Sequence, residues 1–364
     1  MRKALIYIMS MMTTALTACY SYDETGEPAQ QKPAMLTIYV YSPEHPVITR
    51  SDVGHVDPLT DESKVTLLQI WIYDTSGNKV GYLRTEETAT LNGGEGAVYQ
   101  IPVPDDFAQN KPNVDVYVLA NITYNNTFTE ATSRTDLLDN AKIPTGSYGL
   151  SALTTAVPDE GLPMAGELKN QPVIGDAPVL RIGTTSNIAT VPLTRAVSKL
   201  RFAFANTAGS PTLSITDIKL NAGMIPNEEY LFPQNQALTY NSSAATLLST
   251  AIDAVAEKQN PAVYVYNNQT AQEYEDLLNS AGLTQTCIYY LRESGKQLEG
   301  TISYEVDGAP QPTATFKMNQ AGDFLRNHSW IVYAYYEGLS GMQVVTVDVT
   351  PWDDVSQGHT VYNW

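Results

Sequence analysis

The residue types that most often carry out chemistry are sparse in this chain of 364 residues. Its histidines form no HExxH motif and share no zinc-binding spacing with cysteine; they are His45, His55, His328 and His359. There is no GxSxG motif, phosphate-binding loop or GxGxxG motif opening a helix. The adjacent acid pairs at 228–229 and 353–354 are more typical of solvated turns than of catalytic carboxylates, which must converge in space. We therefore expect neither an enzyme nor a bound metal or cofactor.

The best-defined chemistry belongs to Cys19. Two basic residues, Arg2 and Lys3, precede an apolar stretch over residues 4–16, which is the form of a secretory signal and is too short to span a membrane as a helix. Leu16, Thr17, Ala18 and Cys19 then match the bacterial lipobox, in which cleavage leaves the cysteine first and its thiol receives a diacylglycerol. The sequence predicts a signal peptide over residues 1–18 and lipidation at Cys19. The alternative is a plain signal peptide followed by a chance cysteine.

The second cysteine, Cys287, has no histidine near it in sequence to act as a base. If Cys19 is acylated, no partner remains for an intrachain disulfide. We expect Cys287 to be a small buried apolar residue on a strand.

The amino-acid composition argues against some classes of binding partner and favours one fold class. The formal net charge is −18, which argues against nucleic acid, because its phosphates demand a basic surface, and against electrostatic docking to anionic lipid. The chain holds 23 tyrosines, 23 glycines and 21 prolines, which suit pleated strands joined by many turns. Hydrophobic residues make up 43%, enough for a packed core. The composition favours an all-β secreted protein.

Alternation of apolar and polar residues then predicts the strands. A polar segment with two prolines, within residues 19–34, reads as a flexible tether. Residues 35–42 alternate, with Leu36, Ile38 and Val40 on one face. About twenty mostly polar residues follow, a loop too long for a simple hairpin and of the length that is usually functional.

Residues 64–74 and 79–84 predict a hairpin, whose turn "DTSGN" lacks the distant bidentate acid of a calcium loop. Residues 131–143 and 147–157 predict short helices, and residues 162–168 predict a loop. Further strands are expected over 97–103, 114–122, 189–206, 213–220, 261–268, 286–293, 300–318, 329–338 and 342–352. So many antiparallel strands bury one face best in sandwiches, so we expect two β-sandwich domains over residues 35–190 and 191–364.

Several of these stretches together resemble the fimbrillins, the type V pilin family of Bacteroidota-type bacteria. They are the lipobox ending at Cys19, "TRS" at 49–51, "VYVLAN" at 116–121, "LPMAGE" at 162–167, "LTRAVSKLRF" at 193–202, "LRNHSW" at 325–330 and the terminal "VTVDVTPWDDVSQGHTVYNW". Their order and spacing run over nearly the whole chain.

The resemblance implies two transthyretin-like or Ig-like β-sandwich domains exported as a lipoprotein to the outer membrane. It implies that an arginine-specific protease cuts the loop after the first strand, that this strand leaves a hydrophobic groove, and that the C-terminal strand of another subunit fills the groove. The partners implied are other copies of the chain, accessory fimbrial subunits, the protease, and the membrane through the lipid before processing.

Within that scheme Arg50, followed by Ser51, is the candidate cleavage site, because it lies in the long polar loop. Arg84, Arg134 and Arg195 are rivals, but Arg195 begins a predicted strand and the other two do not follow the first strand. The displaced strand would carry Leu36, Ile38 and Val40. The donor strand would carry apolar residues of the terminal segment, namely Val345, Val347, Val349, Trp352, Val361 and Trp364.

Three other roles stay open. A fimbrial anchor keeps its lipid, but anchors often carry an acid-Cys-Pro stretch after the lipobox, which this chain lacks. A tip adhesin shares the same N-terminal processing. A surface lipoprotein that binds glycans would use exposed Tyr and Trp side chains as stacking platforms.

Overall fold

The structure is a computed structural model. It describes residues 33–41, 62, 64–92, 96–122, 128–143, 157–206, 208, 211–232, 238–248, 250–253, 255, 285–318, 321–322, 324–349 and 360–363. In the first half of the chain the strands are β1 (Ala34–Tyr41), β2 (Leu68–Asp74), β3 (Lys79–Thr85), β4 (Ala97–Val103), β5 (Val114–Ala120), β6 (Lys142–Ile143), β7 (Met164–Gln171), β8 (Val173–Asp176), β9 (Val179–Ile182), β10 (Thr190–Pro192) and β11 (Thr194–Arg195).

The second half contains β12 (Ser198–Asn206), β13 (Leu213–Leu220), β14 (Glu229–Tyr230), β15 (Ala245–Thr246), β16 (Gln285–Leu291), β17 (Glu299–Val306), β18 (Ala309–Pro310), β19 (Ala314–Lys317), β20 (Ser329–Tyr336), β21 (Met342–Val349) and β22 (Thr360–Asn363). The helices are short: α1 (Ala89–Asn92), α2 (Asp105–Asn110), α3 (Arg134–Asn140) and a 3₁₀ turn at Gly338–Ser340.

The first half forms two five-stranded sheets. The first sheet has the order β10-β1-β9-β8, with β4 also paired to β1, and the second has the order β11-β7-β5-β2-β3. Their inner faces enclose one apolar core, to which β1 contributes Leu36, β2 contributes Ile70 and β5 contributes Val116. This is the sandwich that the sequence predicts, because apolar side chains of strands from both sheets meet in one core.

The second half repeats this plan. A third sheet has the order β16-β12-β20-β21-β22, and a fourth has the order β15-β13-β17-β18 with β19 paired to β17. Their shared core includes Phe202 of β12, Ile215 of β13 and Trp330 of β20. A further two-stranded sheet joins β6 in the first half to β14 in the second. The prediction of an all-β fold with two sandwiches and a few short helices is confirmed.

Two details differ from the sequence prediction. Residues 162–168 were expected to form a loop, but β7 begins at Met164 and pairs with β5. The loop prediction is wrong because only the first three residues of β7 are buried, so its strand character comes from its partner rather than from its own alternation. Residues 189–206 form three successive strands, β10, β11 and β12, rather than one. Of the helix predicted over 131–143, residues Arg134–Asn140 form α3, whose N-cap Ser133 accepts a hydrogen bond from the Asp136 amide, whereas Lys142–Ile143 form β6.

Strands as far as Arg195 pair within the first two sheets, and the third sheet begins at Ser198. A split between residues 190 and 191 stays a prediction. The strand expected over 261–268 lies outside the described residues, as do residues 147–156 of the helix expected over 147–157. In the described part of the chain, no helix has the length and apolarity needed to cross a membrane.

Candidate functional site: the first strand and its groove

The strand β1 lies inside the first sheet and is paired along both edges. On one edge β4 runs antiparallel to it over seven positions, from Ala34 opposite Val103 to Val40 opposite Ala97. On the other edge β9 runs parallel to Met35–Thr37 and β10 runs parallel to Tyr39–Tyr41. Because every strand has two edges, β9 and β10 share the edge opposite β4. The first strand thus fills a slot between three other strands.

The inward side chains of β1 are fully buried. Leu36 and Val40 are 0% exposed and Ile38 is 1% exposed. All three belong to the apolar core between the first two sheets. Burial of such side chains contributes roughly 1.5–3 kcal/mol each, so the strand supplies several kcal/mol to the sandwich.

The bonds at the ends of β1 come from segments distant in sequence. The Met35 amide donates to the Pro178 carbonyl at 2.8 Å, and the Leu193 amide donates to the Tyr41 carbonyl at 2.8 Å. Tyr41 is 37% exposed and is the last described residue before position 62. Without β1, the facing edges of β4, β9 and β10 would lose their ladder, and the groove floor would expose apolar core side chains.

The next described residue after Tyr41 is Glu62, which is 0% exposed. Its carboxylate oxygen Oε1 accepts a hydrogen bond from the Tyr290 hydroxyl at 2.5 Å and lies 3.0 Å from Lys199 Nζ. Its backbone carbonyl accepts from Arg195 Nε at 2.9 Å. Burial, followed by the charge of Glu62, raises the pKa of Tyr290 and keeps its hydroxyl protonated as a donor. These contacts hold Glu62 against strands β12 and β16 of the second half.

The same cluster unites two of the motifs noted in the sequence. Arg195, from "LTRAVSKLRF", donates from NH1 to the side-chain oxygen of Asn327, from "LRNHSW", at 3.0 Å. The Asn327 amide donates to the Val197 carbonyl at 2.9 Å, and Asn327 has a φ of 58°, a left-handed conformation that asparagine tolerates. These motifs therefore build a buried polar joint between β11, β12 and the turn before β20.

A third motif, "VYVLAN", ends in Asn121, which is 0% exposed and has a φ of 62°. Its amide nitrogen donates to the carbonyls of Lys64 and Leu162, both at 2.7 Å. Its side-chain oxygen accepts from the Thr66 amide at 2.9 Å. Leu162 starts "LPMAGE", so Asn121 joins that motif to the segment that leads into β2.

The rival arginines lie in regular structure. Arg195 is 0% exposed. Arg84 lies within β3, opposite Gln69 of β2. Arg134 begins α3, and its guanidinium lies 2.8 Å from the Asp115 carboxylate. Since proteases prefer exposed loop tips, these placements make all three poor cleavage sites.

Several predicted site residues lie outside the described residues: Cys19, Arg50, Ser51, Trp352 and Trp364. Of the proposed donor residues, Val345, Val347 and Val349 lie in β21, which pairs with β20 over eight positions. Val361 lies in β22, opposite Val347 at the outer edge of the same sheet. The terminal segment as described is therefore part of the second half's own third sheet.

Cys287 is buried at 8% exposure on β16, as expected, and burial raises the pKa of its thiol. This makes the thiol unreactive.

The turn at residues 74–78 joins β2 and β3, with the Asn78 amide donating to Asp74 Oδ1 at 2.8 Å, so the hairpin prediction is confirmed. Among the described residues, no group of three or more His, Cys, Asp and Glu side chains could hold a metal ion.

The sequence reasoning missed Glu62, Asn121 and the pairing of β1 with β9 and β10. A buried acid cannot be told from a surface acid by its sequence. Asn121 had a signal, since an asparagine directly after an apolar strand often adopts a left-handed conformation. The parallel partners of β1 lie far along the chain, and no local pattern encodes them.

Comparison with known proteins bears on the first half of the chain. Residues 34–195, which run from β1 to β11, match the family model described as major fimbrial subunit protein (FimA). The resemblance to the fimbrillins is thereby confirmed, and the matched family is one of structural subunits. No curated protein is similar enough in sequence to count as a relative.

Solved structures with a similar chain course include fimbrial and adhesion proteins. A fimbrial assembly protein from Parabacteroides distasonis has a TM-score of 0.49 and 13% identity, over 91% of this chain and 100% of that one. The C-terminally truncated tip fimbrial protein Mfa3 from Porphyromonas gingivalis has a TM-score of 0.48 and 14% identity, over 91% of this chain and 99% of that one. The fimbrial anchor protein Mfa2 from the same organism has a TM-score of 0.36 and 10% identity, over 91% and 98%.

Proposed function

We propose that this chain, whose residues 34–195 belong to the major fimbrial subunit family, is a structural subunit of a surface fimbrium with a role in adhesion. In this proposal it is exported as a lipoprotein acylated at Cys19 and held at the outer membrane. An arginine-specific protease cuts after Arg50, β1 leaves, and a strand from a neighbouring subunit takes its place.

The observation that carries the proposal is the position of β1. It is bonded along both edges and buries Leu36, Ile38 and Val40, yet it is joined to the next described residue, Glu62, by a polar segment of about twenty residues. A strand placed in this way leaves a complete slot of matching length and chemistry when it departs. An incoming strand would regain both the backbone ladder and the apolar contacts, which is the physics of β-strand addition.

The proposal requires cleavage of the chain after β1, because an uncut β1 would outcompete the strand of a neighbouring subunit for the slot. A random-coil tether of about twenty residues would have a root-mean-square span of roughly 25 Å and would hold its own strand near the slot at an effective concentration in the millimolar range. A separate subunit at micromolar concentration cannot displace it. Cutting the tether removes that advantage, so the neighbour's strand can replace β1.

Arg50 is favoured as the cleavage site by its neighbourhood in sequence. Within residues 42–61 it is the one lysine or arginine. The rivals Arg84, Arg134 and Arg195 lie on strands or at the start of a helix, as described above.

The donor is proposed to be the terminal segment. Its outermost strand, β22, pairs with four positions of β21 and lies at the edge of the third sheet, whereas β21 is held along eight positions by β20. A short edge strand detaches at lower cost than a central one, so we favour the residues beyond Val349, including Trp352, Val361 and Trp364, as the part that moves.

The proposal is tested by N-terminal sequencing of the protein extracted from the cell surface, together with electron microscopy of the same cells. A start at Ser51 in sheared filaments supports a processed subunit. An acylated Cys19 start in protein that is abundant, with no filaments containing it, would instead support the fimbrial anchor or the glycan-binding lipoprotein.

Lipidation has its own test. Cys19→Ala removes the thiol that would receive the lipid, so we expect loss of fatty-acid labelling and loss of retention at the outer membrane. Metabolic labelling with a fatty-acid analogue measures the first and membrane fractionation the second. A Cys287→Ala variant is the control and should label normally. Continued labelling of the Cys19 variant would contradict the assignment.

A further inference from the structure

The residues just before β2 are held more firmly than a connecting segment requires. Val65 is 0% exposed and Leu67 is 7% exposed. The Leu67 carbonyl accepts from the Asn121 amide at 3.0 Å, and the Thr66 hydroxyl donates to the Glu160 carbonyl at 2.7 Å. We call residues 62 and 64–67 the anchor segment.

The peptide bond after Lys64 lies at the centre of the anchor segment. Its carbonyl oxygen accepts from Asn121 Nδ2 at 2.7 Å, and a Cβ atom on Gly161 would lie only 2.4 Å from it. The Val65 carbonyl accepts from the Thr88 hydroxyl at 2.5 Å. The Thr66 amide donates to Asn121 Oδ1. The backbone groups that a protease must pair with on both sides of this bond are therefore already engaged.

The start of the anchor segment is fixed to the second half of the chain. Glu62 contacts Lys199, Tyr290 and Arg195 inside the buried polar joint. Lys199 is 1% exposed. Withdrawal of Glu62 into solvent would remove the carboxylate that lies 3.0 Å from the buried Lys199 ammonium, which is costly because that charge remains buried. Opening of the anchor segment therefore disrupts contacts at both of its ends.

The sequence places two basic residues between β1 and β2, namely Arg50 and Lys64. We propose that the anchor segment shields the Lys64–Val65 bond, so that processing between the first two strands is confined to residues before Glu62. Asn121 and Glu62 are then positioning residues for processing: they ensure that β1 is separated while β2 keeps its connection to the polar joint. The shielding itself does not depend on the proposed function, whereas its consequence for β1 rests on it.

A lysine-specific protease tests the shielding without cutting at Arg50. The full chain is digested under native conditions, and mass spectrometry follows the fragment that begins at Val65. Lys199 serves as an internal reporter, because it lies in the buried strand β12 and becomes accessible when the whole molecule unfolds. Lys296, which is exposed and lies outside the strands in the turn region between β16 and β17, is the exposed reference.

The variant Asn121→Gly keeps the left-handed backbone and removes the clamping amide. We expect cleavage at Lys64 to accelerate by at least about tenfold, since loss of even one buried hydrogen bond is of that order, while Lys199 stays resistant. The matched control is Asn170→Gly, the same change at another left-handed asparagine (φ 52°) whose side chain is exposed. It should leave the Lys64 rate as in the wild type. If Asn121→Gly does not fold, Glu62→Gln is used in its place, because it keeps the shape of the side chain and removes its charge.

The shielding is overturned if wild-type Lys64 is cut as fast as Lys296, or if Lys64 and Lys199 are cut at one common rate in every folded variant. A parallel digestion with an arginine-specific protease separates this outcome from failure of the proposed function. Cleavage at Arg50 after which β1 is never replaced, even at high concentration of other cut subunits, would contradict the proposed function and leave the shielding of Lys64 intact.

Discussion

At the residue scale, the described chain concentrates its buried charge at two joints. The first holds Glu62, Arg195 and Lys199, all at most 1% exposed. In the second, Arg326 lies 2.9 Å from Glu229 and 2.6 Å from Glu293, and its guanidinium also donates to the Tyr230 and Leu231 carbonyls. Burial raises the pKa of Glu229 despite the nearby Arg326 guanidinium. Buried ion pairs add little to the net free energy of unfolding, because burial of each charge costs free energy. Removing one member of a pair is nevertheless costly, because the opposite charge then remains buried without it.

This asymmetry gives a direct prediction for Lys199. Lys199→Met removes the ammonium that lies 3.0 Å from the buried Glu62 carboxylate, so the free energy of unfolding should fall by about 3–5 kcal/mol. Adding Glu62→Gln to the same chain should restore part of the loss. Denaturant unfolding measures both. The control is Lys317→Met, whose ion pair with Glu299 spans 3.6 Å and is well exposed, and which should cost less than about 1 kcal/mol. Equal losses for the two lysines would contradict the buried joint.

The hairpin turn supplies a prediction about pH. Burial on its own would raise the pKa of Asp74, but hydrogen bonds from the Asn78 side chain and from the backbone amides of Asn78, Ser76 and Gly77 outweigh it and lower that pKa. The stabilisation is therefore present above the ordinary Asp pKa of about 4 and is lost as pH falls through the lower folded value. Asn78→Ala should raise the Asp74 pKa toward the ordinary value, measured by the carboxyl carbon shift in NMR titration. Ser76→Ala, which keeps its backbone donor, should leave it unchanged.

At the scale of elements, β1 is the strand whose two faces have different roles. Its inward side chains complete the core, whereas its outward face includes Tyr41, which is 37% exposed. The proposed exchange replaces the inward contacts one for one and leaves the ladder on both edges intact. An element with these properties stabilises the unprocessed subunit and is dispensable in the assembled one.

A substitution at Leu36 distinguishes these two states. In the uncut chain, Leu36→Ala should lower the free energy of unfolding by about 2–5 kcal/mol, because it removes a fully buried side chain from the core. After cleavage at Arg50 and removal of β1, the same variant and the wild type should unfold at the same temperature. Tyr41→Ala is the matched control and should change the uncut stability by less than about 0.5 kcal/mol. A Leu36 effect that persists in the cut chain would mean that β1 does not leave.

The elements also show what the sequence could predict. The residues of β1, β2, β5 and β20 alternate or are continuously apolar, and their strands were predicted within a few positions. The strand β7 was not, because Gly166 and Glu167 look like loop residues and become a strand only through the ladder with β5. The slot around β1 was inferred from one strand's apolar face, but its parallel edge, from β9 and β10, required the fold.

At the scale of the whole molecule, the described chain has two sandwiches joined by the polar joint, with the proposed acceptor slot in the first and the proposed donor segment at the end of the second. Such an arrangement makes a head-to-tail contact that uses different surfaces on each subunit, and such contacts produce filaments when the rotation does not close. With a net charge of −18, separate subunits repel one another in solution. The proposed filament growth would therefore depend on the directional strand contact rather than on non-specific association.

Truncation of the tail tests this arrangement. A chain ending at Val349 keeps β21, which β20 holds over eight positions, and loses the edge strand β22, which pairs over four. We expect the Arg50-cut, truncated subunit to stay folded, with a melting temperature close to that of the full-length chain, and to form no filaments by itself. Its acceptor slot is intact, so it should still bind the tail of a full-length subunit. Mixed with full-length subunits, it should therefore cap growing ends and shorten the filaments in proportion to its amount.

The control for capping is the truncated chain left uncut, for instance as Arg50→Gln, whose slot stays filled by β1 and which should leave filament length unchanged. Thermal unfolding, light scattering and electron microscopy of the same mixtures provide the readouts. If the truncated chain melts far below the full-length one, the tail belongs to its own domain's core, because loss of buried aromatic side chains costs about 3–5 kcal/mol each. If filaments form undiminished from truncated subunits, a different segment is the donor. Shortened filaments with an unchanged melting temperature require that the tail act in the neighbouring subunit.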